Sequence, residues 1–252
     1  MNLKKILVCA MDIGALMLSN GAGVSRVEDT IERICRAYGA KNVEVFSITS
    51  SILTTVTTKE GDVFTQTKRI KQHAIDFKKL DELNALSRHI CFARPGIQFI
   101  NDEIERIDKI EAYTLPIRSA ISALIAGVFT IFFGGGIMEA VIAAMAGFIG
   151  CVLMHFLNKY NANEIFSNFL TIFMVGSIAI IAVHFRLAGN YGHIIIGNIM
   201  LLVPGVGFVN SIRDVIGGDT IAGMIRLCEV IVIAVFLAGG SFAALMLWEG
   251  IL

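Results

Sequence analysis

Residues 201–229, LLVPGVGFVNSIRDVIGGDTIAGMIRLCE, decide how the chain folds. They begin in an apolar run, break at Pro204-Gly205, turn polar at Asn210 and enter a second apolar run that already contains Glu229. Proline lacks a backbone N–H and fixes φ, so a helix that reaches Pro204 must kink or stop. Charges beside membrane-length runs are costly unless they pair or line a watery cavity. A broken helix next to such charges is typical of a transport site, although a cytoplasmic hairpin at the membrane boundary has the same pattern.

The chain has two parts of different character. Its 252 residues are 55% apolar and 17% charged, whereas soluble domains are roughly 45–50% apolar and 25% charged. Residues 1–113 hold 16 of the 21 Lys and Arg residues and 15 of the 21 Asp and Glu residues. The sequence therefore predicts a polar N-terminal domain over residues 1–112 and a membrane-embedded domain over residues 113–252.

Charge, cysteine content and motifs exclude several classes of function. The net charge is zero and no basic stripe alternates with aromatic residues, so nucleic acid is not an expected partner. The five cysteines are scattered without a CxxC pair, which argues against a disulfide framework or a zinc site. Neither HExxH nor GxSxG is present, and we expect no enzymatic activity, no cofactor and no metal. The N-terminal domain is expected to be reduced and cytoplasmic.

The N-terminal domain is predicted to be α+β. Apolar residues recur at helical spacing over 3–19, and Ser25 and Glu28 have the spacing of a capping box that starts a second helix. The glycines of Gly21-Ala22-Gly23 lack the third glycine and preceding strand of a dinucleotide loop, so they are interpreted as a turn between these helices. Helical spacing returns after residue 76. Period-two alternation predicts three strands in between, at 43–49, 51–58 and 62–68.

The membrane-embedded domain is predicted to be an α-helical bundle with five transmembrane helices. Each span is an apolar run close to the ~20 residues that cross the hydrocarbon core as a helix. Small residues such as those of 143–147 and 238–241 let helices approach closely, so the spans are expected to pack on protein. The spans are predicted at about 119–138, 140–158, 165–183, 194–212 and 230–248, the fourth being broken at Pro204.

Basic residues in the short connections predict the orientation. A cytoplasmic N-terminal domain leaves Arg118, Lys159, Arg213 and Arg226 inside and only Arg186 outside, as the positive-inside rule prefers. Five spans then put the C-terminus outside the membrane.

Polar and charged residues near the break are candidates for a transport site. An anionic substrate is predicted to bind near Pro204 and Asn210, with Arg213 or Arg226 as the clamp because guanidinium binds carboxylates bidentately. Arg226 and Glu229 are spaced i, i+3 and have the alternative of neutralising each other. A carboxylate half-buried at membrane depth has a raised pKa, so four acidic residues are candidate proton-coupling groups: Asp214, Asp219, Glu229 and Glu139.

At these residues the chain resembles the threonine/serine exporter family. The resemblance rests on a C-terminal signature and on residues of the front part, so it covers nearly the whole chain. The C-terminal signature is Pro204-Gly205, Arg213-Asp214, Gly218-Asp219, Gly223, Arg226 and Glu229. The front part matches at Gly14, Ser19, Gly21-Ala22-Gly23, Arg26, Val27-Glu28-Asp29 and Gly39.

The resemblance implies an exporter of small carboxylate metabolites such as threonine, serine or succinate. It also implies coupling to the proton gradient and a place in the bacterial cytoplasmic (inner) membrane. Fused members of the family carry a second membrane block, whereas this sequence ends at Leu252. It is similar in size to the larger subunit of a two-component succinate exporter, so the expected partners besides the lipid bilayer are a small membrane subunit, further copies of the chain, or both.

A membrane-anchored sensor or regulator is the alternative function. In that interpretation the N-terminal domain binds a ligand and the spans serve mainly as anchors. Five spans rich in small residues and carrying internal charges are more than anchoring requires, which favours the exporter.

Overall fold

The computed structural model describes residues 3–70, 75–111 and 113–251. The first part of the chain alternates helices and strands in the predicted order. Two helices precede a three-stranded sheet and two follow it: α1 (Leu3–Ser19), α2 (Val24–Ala37), β1 (Asn42–Ile48), β2 (Ser51–Thr57), β3 (Val63–Arg69), α3 (Phe77–Ala93) and α4 (Ile97–Asp108).

The rest of the described chain is helical. Its elements are α5 (Leu115–Phe132), α6 (Ile137–Lys159), α7 (Glu164–His184), α8 (Tyr191–Leu202), α9 (Gly205–Gly217) and α10 (Thr220–Glu249).

Residue contacts divide the chain into two compact units. The N-terminal unit comprises Met1–Glu111 together with Gly205–Cys228, and the helical unit comprises Ala112–Pro204 together with Glu229–Leu252. The contacts thus group α9 and the start of α10 with the N-terminal residues. The boundary predicted between residues 112 and 113 stays a prediction, and Ala112 itself lies outside the described residues.

The sheet of the N-terminal unit is an antiparallel meander in the order β1-β2-β3. Its register pairs Val45 with Thr54 and Thr54 with Gln66. Alternate residues of β2 are buried, namely Ile52, Thr54 and Val56. This is the period-two pattern expected of a strand with one face on the core.

The core of the N-terminal unit is built around α1. Ile6, Ile13 and Met17 are completely buried, and they belong to one cluster with Ile31 and Ile34 of α2. At Gly14 an added Cβ would lie 2.6 Å from Cδ1 of Ile31. The missing side chain therefore allows α1 and α2 to pack closely.

The predicted capping box of α2 is wrong. The helix begins at Val24 with Gly23 at the N-cap, so Ser25 already lies inside the first turn. The Glu28 carboxylate instead accepts hydrogen bonds from the backbone N–H of Ser47 (2.6 Å) and from its hydroxyl (2.9 Å). A tertiary contact to the residues of β1 has replaced the local one.

Four helices are long and apolar enough to cross a membrane: α5, α6, α7 and α10 up to Trp248. The α8–α9 pair makes a fifth candidate only if its two helices count as one broken span. Alone, the 12 residues of α8 extend about 18 Å, which is less than the ~30 Å of hydrocarbon. The break at Pro204 is as predicted, and the described residues agree with a mostly helical membrane protein that has a small N-terminal sheet.

Small residues bring the helices of the helical unit together, as their frequency predicted. Ala143 and Ala146 of α6 are completely buried. An added Cβ at Gly147 would lie 2.9 Å from Cβ of Ala126, and one at Gly240 would lie 2.6 Å from the carbonyl oxygen of Phe169. Large apolar side chains such as Leu124 and Ile137 are exposed instead, as expected for surfaces that face lipid.

Candidate functional site

The stretch that follows Pro204 forms a tight helical hairpin in the N-terminal unit. Helix α9 ends at Gly217, Gly218 adopts a φ of +100°, and α10 starts at Thr220. The two helices approach so closely that a Cβ at Gly223 would lie 2.7 Å from the carbonyl oxygen of Ser211. Glycine is required at this crossing because a side chain would collide with backbone.

Helix α9 buries three polar side chains and exposes a largely apolar face, on which Arg213 is the charged residue. Asn210, Ser211 and Asp214 are buried, whereas Val209 and Ile216 are 56% and 81% exposed. This is the reverse of a helix on the surface of a soluble protein, whose apolar stripe faces the core. The pattern is typical of a helix that packs its polar groups on protein and turns its apolar side to lipid.

Asp214 and Arg226 form an ion pair inside this hairpin. The Asp214 Oδ2 atom lies 3.2 Å from Nη1 of Arg226, and the side chains are 0% and 10% exposed. Neither of these two atoms has a well-aligned hydrogen-bond partner within the described structure. The pair is therefore close enough for charge neutralisation but not aligned as the bidentate arrangement that makes such pairs strongest.

Three side chains of the hairpin hold the turn between α1 and α2. Asn210 Nδ2 donates to the carbonyl oxygen of Gly21 at 2.9 Å, and Arg226 Nη2 donates to that of Ala22 at 3.4 Å. The backbone N–H of Val24 donates to Asp214 Oδ1 at 3.2 Å. We call this set the Asp214 clasp: the side chains of Asn210, Asp214 and Arg226 with the backbone of Gly21, Ala22 and Val24.

The clasp explains why a glycine precedes α2. A Cβ added at Gly23 would lie 3.2 Å from Asp214 Oδ1, a spacing that requires the carboxylate to shift. The turn predicted at Gly21-Ala22-Gly23 is present, and its backbone groups are partners of the hairpin.

A further carboxylate, that of Glu28, lies near the clasp in α2. Burial raises its pKa above the usual 4.5, and the negative charges of Asp219 and Asp214 act in the same direction. The two hydrogen bonds from Ser47 oppose this shift. The region therefore contains three carboxylates that interact electrostatically, of which Asp214 has Arg226 as its ion-pair partner.

The other predicted site residues of this region lie outside the clasp. Arg213 is exposed, although it directly precedes Asp214 in α9, and Asp219 is half-buried immediately before α10. The backbone N–H of Asp219 donates to the carbonyl oxygen of Asp214 at 2.9 Å. Pro204 is half-buried between α8 and α9, and Glu229 is an exposed residue of α10. The structure thus brings together Asn210, Asp214 and Arg226 from the predicted set.

Glu139 is buried in the helical unit, where its carboxylate contacts two backbone N–H groups and one histidine ring. Its carboxylate accepts hydrogen bonds from the N–H of Gly136 (2.9 Å) and of Asn190 (2.7 Å), and it contacts Nδ1 of His193 at 2.8 Å. The carboxylate therefore ties the start of α6 to the start of α8. The sequence reasoning missed Asn190 and His193, because no spacing rule relates residues more than 50 positions apart. Among the described residues no cluster of His, Cys, Asp and Glu could hold a metal ion.

Comparison with known proteins gives the family. The model of a family described as "Putative threonine/serine exporter" (ThrE) matches residues 8–248, which include every residue of the Asp214 clasp. The chain belongs to this family. Its members are described as transporters rather than enzymes, in agreement with the expectation of no enzymatic activity.

The relatives of this chain are of two kinds. The chain is 22% identical to the "Probable threonine/serine exporter" of Mycobacterium tuberculosis over 97% of this chain and 46% of that protein. It is 24% identical to the "Threonine/serine exporter" of Corynebacterium glutamicum over 95% of this chain and 50% of that protein. The "Probable succinate transporter subunit YjjP" of Escherichia coli is 23% identical over 93% of this chain and 91% of that protein.

The chain spans about half the length of the two exporters and nearly the full length of the succinate transporter subunit. No solved structure matches it.

Proposed function

We propose that this ThrE-family chain is a subunit of a proton-coupled secondary exporter that moves small carboxylate metabolites, such as threonine, serine or succinate, across the bacterial cytoplasmic membrane. The observation that carries the proposal is the buried Asp214–Arg226 ion pair in the hairpin of α9 and the start of α10. The family and the four to five candidate spans support a transporter. The buried ion pair gives that transporter a group that binds carboxylate.

The substrate carboxylate and the Asp214 carboxylate compete for one guanidinium in this proposal. Protonation of Asp214 removes the charge that holds Arg226, and the freed guanidinium then binds the substrate carboxylate. The 3.2 Å contact is not aligned as a hydrogen bond, which lowers the cost of the exchange. Loss of the proton restores the ion pair and expels the substrate, so the proton and the carboxylate leave the cell together. In this scheme the outward gradient of the metabolite drives export against the inward proton gradient.

The remaining predicted residues take supporting roles in the proposal. Arg213, exposed beside the pair, attracts the anion, while Asn210 and Pro204 shape the site. Asp219, Glu229 and Glu139 are further proton-coupling groups, and the Glu139 carboxylate lies 2.8 Å from Nδ1 of His193. His193 has a side chain 31% exposed, which gives this pair access to water.

The proposed orientation has the N-terminal residues in the cytoplasm and the C-terminus outside. Two observations support this orientation. Most basic residues of the connections between spans are then in the cytoplasm, and the segments Gly205–Cys228 and Met1–Glu111, which residue contacts group together, are then on the same side of the membrane. The proposed assembly includes a small membrane subunit, further copies of this chain, or both. It is supported by the description of the Escherichia coli relative as a transporter subunit.

Efflux of labelled serine, threonine and succinate from cells with and without the chain tests the function. In a parallel strain, genes for small membrane proteins next to the gene of this chain are deleted, which tests the proposed partner subunit. We expect chain-dependent efflux of at least one substrate, and loss of that efflux in Arg213→Ala and Asp219→Asn while the protein still inserts in the membrane. Wild-type efflux from both variants would contradict the site, and chain-independent efflux of all three compounds would contradict the function.

A further inference from the structure

A cavity of about 490 Å³ opens between α2 and α3 of the N-terminal unit. It shares no residue with the Asp214 clasp. One face of each helix lines the cavity. The lining residues recur at the i, i+3, i+4, i+7 spacing that places side chains on a single helix face. They are Arg26, Asp29, Thr30 and Arg33 of α2 with Asn84, Ser87, Arg88, Cys91 and Phe92 of α3.

Positive charge is in excess in this cavity. Of the lining residues, three are arginines and one is a carboxylate. That carboxylate, Asp29, pairs with Nε of Arg33 at 2.7 Å. Across the residues that the structure describes, no ion pair is formed by Arg26 or Arg88, so two guanidiniums face the same space without a counter-charge. Like charges in one cleft repel, and an anion bound there would relieve the repulsion.

The other polar groups of the cavity are occupied by their own helices. Thr30 Oγ1 donates to the carbonyl oxygen of Arg26 (2.8 Å), Ser87 Oγ to that of Asn84 (2.9 Å), and Asn84 Nδ2 to that of Leu80 (2.6 Å). The strong donors left for a ligand are therefore the arginine N–H groups. Their planar fork binds two oxygens of a carboxylate or phosphate at once.

Two further residues define what the cavity accepts. Burial raises the pKa of the Cys91 thiol, so this group stays neutral and does not compete with a bound anion. Phe92 is 92% exposed at the rim, an unusual position for a large aromatic side chain, and it offers an apolar surface to the carbon skeleton of a ligand. The volume lies in the ~300–1,000 Å³ range of small-molecule sites.

We propose that this cavity binds a small, doubly charged oxyanion, a dicarboxylate or a phosphate, between Arg26 and Arg88. The two unpaired guanidiniums match two negative charges, and the cavity is open enough to exchange its ligand with the surrounding solution. The site does not depend on the transport proposal, because it uses neither the clasp nor the membrane spans.

Isothermal titration calorimetry on the full chain in detergent tests the site. The probes are succinate and inorganic phosphate, each titrated at constant ionic strength set with chloride. We expect at least one of them to bind and its Kd to rise at least tenfold in Arg26→Gln and in Arg88→Gln, with partial retention in Arg88→Lys. Both arginines are exposed, so these variants are expected to fold.

Two control variants distinguish binding in this cavity from a general loss of positive charge and from binding at the proposed transport site. Arg69→Gln removes an exposed arginine of β3 outside the cavity and should keep the wild-type Kd. Arg213→Gln removes the exposed arginine of the proposed transport site, so weaker binding in this variant but not in Arg26→Gln would assign the measured binding to the transport site and overturn the cavity proposal. Binding of succinate alone identifies a dicarboxylate site, and binding of phosphate alone identifies a phosphate site. The proposal is overturned if neither anion binds, if Arg26→Gln and Arg88→Gln bind like wild type, or if Arg69→Gln weakens binding as much as they do.

Discussion

Arg213 and Arg226 are equivalent candidates by sequence, but the structure gives them different environments. Arg213 is exposed, whereas Arg226 is buried and faces the fully buried Asp214. Removing one partner of a buried ion pair leaves an uncompensated charge in a poorly solvated place. A substitution that breaks the Asp214–Arg226 pair should therefore cost more stability than a substitution of Arg213.

We expect Asp214→Ala to lower the free energy of unfolding by about 3–5 kcal/mol, because it strands Arg226. It also removes the acceptor of the Val24 N–H. Thermal unfolding of the detergent-solubilised chain should show a Tm lower by roughly 6–20 °C. Arg213→Gln, the matched control in the same helix, should keep Tm within about 2 °C. The double variant Asp214→Ala/Arg226→Met should recover much of the lost Tm, because no charge is then left unpaired. Equal losses of Tm in Asp214→Ala and Arg213→Gln would contradict the buried pair.

Glu28 provides a pH-dependent contribution to stability. Its pKa in the folded chain is raised, chiefly by burial, above the usual 4.5. A carboxyl group of this kind favours the folded state when protonated, so its contribution is complete below about pH 4.5 and is lost as the pH rises through the raised pKa. The amide of Glu28→Gln cannot ionise. The decline of Tm between pH 4.5 and 7 should therefore be smaller in Glu28→Gln than in wild type, and parallel Tm curves would contradict the assignment.

At the level of single elements, the α9–α10 hairpin depends on a glycine contact. A Cβ at Gly223 would lie 2.7 Å from the Ser211 carbonyl oxygen and 2.6 Å from Cγ2 of Val215. Gly223→Ala should therefore force the helices apart and cost about 1–3 kcal/mol, the usual range for overpacking. At Gly217, near the end of α9, an added Cβ meets nothing within 4 Å.

Gly217→Ala is thus the matched control for Gly223→Ala. It should be neutral or stabilising by up to about 1 kcal/mol, because alanine reduces the conformational freedom of the unfolded chain. Chemical denaturation of both variants measures the difference. Loss of stability in Gly217→Ala equal to that in Gly223→Ala would contradict the close helix approach at Gly223 as the cause of the loss.

Local patterns predicted most elements correctly. The three strands, the helices around them and the break at Pro204 follow from period-two alternation, helical spacing and the chemistry of proline. The failure at Ser25 has the same origin, since a capping box is also a local pattern. It could not anticipate that Glu28 would find Ser47 in the folded chain.

The contacts of the candidate site were only partly predictable. Charge and membrane proximity singled out Asp214 and Arg226, but spacing offered Glu229 as the partner of Arg226. The structure gives Arg226 an ion pair with Asp214 and a hydrogen bond to Ala22, which is 204 positions away. Pairings of that range leave no periodic trace in the sequence, and the same applies to Glu139 with Asn190 and His193.

For the whole molecule, the grouping of Gly205–Cys228 with the first 111 residues affects how fragments behave. A fragment that ends at residue 111 lacks the clasp side chains, so the Gly21 and Ala22 carbonyls and the Val24 N–H lose their partners. We expect hydrogen exchange to be faster at residues 20–24 of this fragment than in the full chain. The amides paired between β1 and β2 should exchange at similar rates in both, which serves as the internal control. Equal protection of residues 20–24 in both proteins would contradict the clasp.

The long separation within the clasp also bears on how the protein is made. The Val24 N–H and the Asp214 carboxylate are 190 residues apart, so at ~5–20 residues per second a ribosome needs roughly 10–40 s to supply the second after the first. During that interval α1 and α2 can form, but their connecting turn keeps its polar groups in water. The clasp can therefore close only after α5–α8 have been synthesised, so the last contacts of the N-terminal unit form later than most of the candidate membrane spans.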